Sequence, residues 1–156
     1  MQRPNKTNWY LNIAETVAQR STCLRRMYGS IIVKDGTVVS DGYNSTPIKM
    51  DNCLNKGICN RANCPRGTGY ELCYSIHAEQ NAIINCSKAQ LIGSELYLVG
   101  LERETGEYVE NSSPCNVCKK IIINAQISKV YIRIDKENYK EIDVSKWTLD
   151  DIVGGY

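Results

Sequence analysis

The chain has 156 residues, 42% hydrophobic and 23% charged, which suits one globular unit around a single core. Its formal net charge of +2 is too small to signal the clustered basic stripe of a nucleic-acid surface. No apolar run approaches the ~20 residues that span a bilayer, and residues 1–6 lack a signal peptide's apolar core, so a cytoplasmic protein is expected.

Asn8 to Arg20 carries apolar residues at Trp9, Ile13, Ala14, Val17 and Ala18, a helical stripe that Thr7 or Asn8 can cap. Residues 20–26 follow as a polar loop. Ser30–Lys34 and Thr37–Ser40 read as two strands joined through Asp35-Gly36, a hairpin turn. Gly42 to Pro47 ends the second strand in a turn. From Ile48 to Tyr74 the periodicity gives way to glycine, proline and asparagine, with Cys53, Cys59, Cys64 and Cys73 among them. A loop this long needs something other than its own core to pin it, and the cysteines suggest what.

A helix is expected over Ile76–Lys88, with Ala78, Ala82, Ile83 and Cys86 on its packing face and Cys86 acting as a small apolar residue. Glu95–Leu101 reads as a third strand. Glu102–Asn111 reads as an exposed excursion turning at residues 104–107. Pro114 suits the first turn of a helix ending near Ala125. Lys129–Ile134 alternates as a fourth strand, and Glu141–Val144 can add one more. This order argues for a mixed sheet covered by helices.

His77 is the only histidine, and Glu79 lies two positions on. Pro114-Cys115-Asn116-Val117-Cys118 follows downstream. One imidazole and two cysteines at helix starts can give zinc three ligands and leave its fourth position for water. The i, i+3 cysteines can face one ion from a single turn, and the positive end of a helix favours their thiolates. Eight cysteines with no export signal favour metal over disulfides. Zinc brings a bound water to a pKa of roughly 7, and Glu79 is placed to move its protons.

With His77-Ala78-Glu79-Gln80-Asn81-Ala82-Ile83 and residues 114–119, two further segments, Arg20-Ser21-Thr22-Cys23 and Gly42-Tyr43-Asn44 with Pro47, make the chain resemble the cytidine and deoxycytidylate deaminase superfamily, and within it the dCMP deaminase group. The likeness runs from about Ala14 to Ile134. It implies a three-layer α/β/α fold on a central five-stranded mixed sheet. It also implies one deaminase domain over residues 1–156, with a cysteine-rich insertion at about 48–74, and hydrolysis of dCMP to dUMP and ammonia.

By the same likeness, His77, Cys115 and Cys118 bind the catalytic zinc and Glu79 shuttles protons. Asn44 bonds the sugar, and backbone groups around Ala78 read the pyrimidine. One of Arg20, Arg25 and Arg26 becomes a phosphate contact. Cys23, Cys53, Cys59 and Cys73 are implied to hold a second, structural zinc, with Cys64 as competitor. A dCTP or dTTP effector and a homo-oligomer are implied as well. Three positions depart from the pattern: Ser45 replaces a turn glycine, Lys136 stands where a substrate-contacting tyrosine is usual (with Tyr139 further on), and residues 102–111 lengthen the approach to Pro114. The rivals are another cytosine compound or a transfer-RNA adenosine as substrate, the latter needing a basic groove, and a non-catalytic zinc module, against which Glu79 argues.

Overall fold

A computed structural model describes residues 1–153; the last three residues of the expected domain lie outside the described residues. Helix α1 (Lys6–Ala18) starts earlier than its apolar stripe suggests, because Asn5 and not Thr7 or Asn8 is the cap. Asn5 Oδ1 accepts the Asn8 N–H at 2.8 Å, satisfying one of the first-turn donors. Its buried face is Tyr10, Leu11, Ala14 and Ala18, while Trp9 is half exposed.

Strands β1 (Arg26–Lys34) and β2 (Thr37–Tyr43) form the expected hairpin. Asp35 and Gly36 both have positive φ, 50° and 76°, as the favoured two-residue turn requires. Both strands run beyond the apolar residues that announced them. Arg26 faces Glu102 across the sheet and pairs with it at 2.9 Å, extending β1 through residues that looked like loop.

Strands β3 (Glu95–Glu102), β4 (Lys129–Arg133) and β5 (Tyr139–Asp143) complete a five-stranded sheet of order β2-β1-β3-β4-β5. Only β3 and β4 are parallel, so the sheet is mixed as expected. One face packs Ile31, Val33, Tyr97, Val99 and Tyr131 against α1. The other packs Ile32, Leu96, Leu98, Val130 and Ile132 beneath α3 (Ala78–Ile84) and α5 (Asn116–Asn124), giving three layers.

Other boundaries move for local reasons. The helix expected over Ile76–Lys88 stops after Ile84, and a short α4 (Lys88–Leu91) restarts with Ser87 as its cap. Asn85-Cys86-Ser87 is polar enough to hydrogen-bond its own backbone instead of propagating the helix. Cys86 is half-buried at the core edge. Pro114 precedes α5, which Cys115 caps. Residues 48–74 hold only a one-turn α2 (Cys53–Lys56) and a 3₁₀ turn at Tyr70–Leu72. Among the described residues no helix is long and apolar enough to cross a membrane.

Candidate metal centre and substrate cleft

Two helix starts converge at one end of the sheet. His77 is the N-cap of α3, where its own N–H donates to Gln80 Oε1 at 2.9 Å. Just upstream, Ile76 and Ser45 exchange backbone hydrogen bonds of 2.8 and 3.2 Å, which ties His77 to the turn carrying Asn44. The bridge uses only the backbone of Ser45, so it does not depend on the side chain at that position. Asn81 Nδ2 donates to Tyr43 O at 2.8 Å. Gly42 lets α3 lie directly on β2: a Cβ there would overlap Ala82 N and Ala78 O.

His77 Nδ1 lies 3.4 Å from Cys115 Sγ and 3.3 Å from Cys118 Sγ. All three donor atoms lie within 4.8 Å of one another. Tetrahedral zinc with ordinary Zn–N and Zn–S bonds separates such donors by ~3.5 Å, so this nitrogen–sulfur set fits zinc. The Cys118 thiol lowers Cys115 to about 4, with His77 assisting against burial, while the Cys115 sulfur, burial and Glu79 push Cys118 up. The lowering expected for both cysteines thus falls on Cys115 alone, because Cys118 keeps its proton to hydrogen-bond the Cys115 sulfur in a buried place; a divalent cation bound by both sulfurs would replace that proton. Burial works against protonated His77, but the Cys115 hydrogen bond and the Glu79 charge outweigh it and raise its pKa.

Glu79 is 5% exposed. Burial pushes its carboxyl up from the usual carboxylate range, against the lowering effects of His77 and its own backbone N–H. A carboxyl raised toward neutrality can both take and return a proton.

Glu79 and His77 open onto a cleft lined also by Asn44, Ala78, Tyr28 and Tyr70. Ala78 is fully buried at the first turn of α3. Asn44 Oδ1 accepts the Tyr28 N–H at 2.8 Å and its Nδ2 donates to Arg26 O at 2.9 Å. One lone pair and one N–H of the amide are left for the cleft. Arg25 and Arg26 line the cleft; Arg20 is exposed and not among its walls. Tyr139 packs against Tyr131 in the cluster under α1, across the sheet from the cleft, and Lys136 gives its carbonyl to Arg133.

Cys23, Cys59 and Cys73 lie in the same cleft wall. Cys23 Sγ accepts the Arg25 N–H and Cys73 Sγ the Ser75 N–H, each at 3.4 Å. Burial and the nearby sulfurs of Cys23, Cys73 and Cys59 push the Cys53 thiol up. Cys64 packs beside Gly69 instead. Among the described residues, however, only His77, Cys115 and Cys118 bring three donor atoms within 4.8 Å.

Arg61, Arg66, Tyr70, Ser75 and Ser113 also line the cleft. Sequence reasoning did not single them out, since Arg61, Arg66 and Tyr70 sit in the aperiodic stretch and none of the five belongs to a motif. The excursion after β3 is less exposed than expected. Its turn uses Gly106 at φ 74°, but Val109 is buried and Tyr108 Oη donates to Glu15 at 2.8 Å. Arg103 grips the carbonyls of Ser21 and Cys23, and Arg66 grips those of Glu110 and Asn111. The excursion thereby braces both the Cys23 loop and the insertion.

A His/Cys/Cys donor set beside a buried carboxyl, at the end of a mixed sheet, is the arrangement that marks the zinc deaminase class. Residues 4–134 match the cytidine and deoxycytidylate deaminase zinc-binding region, and the chain belongs to that family. It is 31% identical over 144 residues to deoxycytidylate deaminase of Saccharomyces cerevisiae, covering 90% of this chain but only 42% of the yeast protein. Against deoxycytidylate deaminase of Mycobacterium phage D29 it is 32% identical over 142 residues, covering 83% of this chain and 95% of the phage protein. The crystal structure of dCMP deaminase from cyanophage S-TIM5 in complex with dCMP and dUMP superimposes with a TM-score of 0.60 at 30% identity, over 85% of this chain and 84% of that one.

Proposed function

We propose that this chain is a zinc-dependent hydrolase that converts dCMP and water to dUMP and ammonia. The observation that carries the reading is Glu79, buried beside His77, Cys115 and Cys118 with its carboxyl raised toward neutrality. Zinc held by His77 Nδ1 and the two sulfurs would act as a Lewis acid and make water nucleophilic at neutral pH. Glu79 takes the proton of the water that adds to C4 of the cytosine ring and delivers it to ring N3. Glu79 then carries the remaining hydroxyl proton to the departing amine, so that ammonia leaves and the C4 carbonyl forms. Asn44 and the backbone at Ala78 hold the sugar and the base. The names of the yeast and phage relatives, and the dCMP and dUMP bound by the cyanophage enzyme, support the choice of substrate.

The reading includes a second zinc on Cys23, Cys53, Cys59 and Cys73. Its support is that Cys23, Cys59 and Cys73 share the cleft lining and that the sulfurs of Cys23, Cys73 and Cys59 lie close enough to Cys53 to act on its thiol. One deaminase domain with an insertion, effector control by dCTP or dTTP, and a homo-oligomer are carried by family likeness.

Ammonia release from dCMP, deoxycytidine, cytidine and cytosine tests the substrate, with dCMP expected to be turned over best. Glu79→Gln should keep its zinc and its fold and lose at least the ~10²–10⁴-fold typical of one acid–base role. Near-normal turnover in that variant would sink the proton-shuttle assignment.

A further inference from the structure

The cleft has more cationic side chains at its mouth than its own chemistry needs. Four arginines line it, and three are engaged elsewhere. Arg26 Nε pairs with Glu102 at 2.9 Å. Arg25 is exposed and donates to Arg61 O at 3.0 Å. Arg66 donates to Glu110 O at 2.8 Å and Asn111 O at 3.1 Å. Arg61 differs: it is half-buried, no carboxylate among the described residues pairs with it, and only its Nε is spent, on Thr68 O at 2.9 Å.

Its placement is also fixed. The guanidinium lies 4.3 Å from the ring centre of Tyr70, and the Tyr70 ring stands edge-on to His77 with centroids 5.1 Å apart. Arg61, Tyr70 and His77 thus form a stack running outward from the metal donors. The remaining fork of a planar guanidinium is suited to bidentate recognition of phosphate. A partly desolvated cation with no carboxylate of its own is stabilised by an anionic ligand. The outward run of this stack is one that a nucleoside 5′-monophosphate can follow, with its base at His77 and its phosphate at Arg61.

We propose that Arg61, carried by the cysteine-rich insertion and set over Tyr70, reads the 5′-phosphate of the substrate and makes the enzyme prefer a nucleotide to a nucleoside. The inference rests on the deaminase reading above and adds a specificity-determining residue to it. It also gives the insertion a second use, as the bearer of a substrate contact.

The test compares wild-type holoenzyme with Arg61→Gln and Arg61→Lys on dCMP and deoxycytidine. A charged hydrogen bond to phosphate is worth roughly 10- to 100-fold. Arg61→Gln should lose about that factor in kcat/KM for dCMP, mostly through KM, and lose far less with deoxycytidine. Arg61→Lys should recover part of the loss. Inorganic phosphate should raise the wild-type Tm, and do so less in Arg61→Gln. An equal loss on both substrates, or no loss on dCMP, overturns the proposal. If the wild type acts on no cytosine compound, the deaminase reading fails. The phosphate-dependent Tm then still decides Arg61: a shift lost in Arg61→Gln upholds an anion site there, and a shift retained refutes it.

Discussion

Gly42→Ala is expected to damage the active site from a position that contributes no side chain to it. A Cβ at residue 42 would lie 2.5 Å from Ala78 O and 2.8 Å from Asn81 C, and closer still to Ala82 N. Carbon contacts settle at about 3.5–4.0 Å, so something must move by about 1 Å. All three atoms belong to the backbone of α3, and none can swing away as a side-chain end could. The helix must therefore back off from β2, taking His77 and Glu79 with it. Overpacking of this kind costs roughly 1–3 kcal/mol, a fall in Tm of roughly 2–12 °C for a chain this size. A misplacement of ~1 Å can cost 10²-fold in rate. Thermal unfolding and ammonia release from dCMP should be measured on the same preparation. Gly106→Ala is the control: at φ 74° with nothing within 4 Å, it carries only the left-handed backbone penalty of roughly 1–2 kcal/mol. It should lower Tm and leave turnover alone. If Gly42→Ala has normal turnover at a lowered Tm, the claim that Gly42 positions the catalytic end of α3 is refuted.

Asn44→Ala should leave the Tyr28 N–H and the Arg26 carbonyl unpaired, at about 1–3 kcal/mol each. Its Tm should fall by roughly 4 °C or more, alongside weakened dCMP turnover; an unchanged Tm would show that water replaces the amide. Metal analysis of the purified protein should give two zinc ions per chain, and Cys53→Ser should lose one with a drop in stability while His77, Cys115 and Cys118 keep the other. A fully active sample holding one zinc per chain defeats the second site.

The parts of the site that sequence made legible are those whose chemistry sits within a few residues. His77 with Glu79, and Cys115 with Cys118, are each separated by less than one helical turn, so type and spacing carry the meaning. The strands were legible where one face is apolar, and their ends were not. β1 gains its first residues through a cross-strand pair between Arg26 and Glu102, which lie 76 positions apart. The arginine expectation fell on residues 20–26 because those flank a motif. Arg61 became visible only when Tyr70 and His77 were stacked beside it, a juxtaposition made by tertiary structure. The break between α3 and α4 was missed because apolar residues continue on both sides of it.

Three guanidinium groups in and beside the cleft share one habit with a consequence for how this chain can change. Arg103, Arg25 and Arg66 hold the carbonyl oxygens of Ser21, Cys23, Arg61, Glu110 and Asn111. A carbonyl is the same whatever side chain hangs beside it. The gripped segments can therefore drift in sequence without loosening the cleft, so long as their backbone path is kept. The burden falls on the arginines, whose planar fork can hold two carbonyls at once where lysine offers a point charge. Mutational tolerance should thus be lopsided along these pairs, wide at held positions with no other task, such as Ser21, Glu110 and Asn111, and narrow on the side that holds.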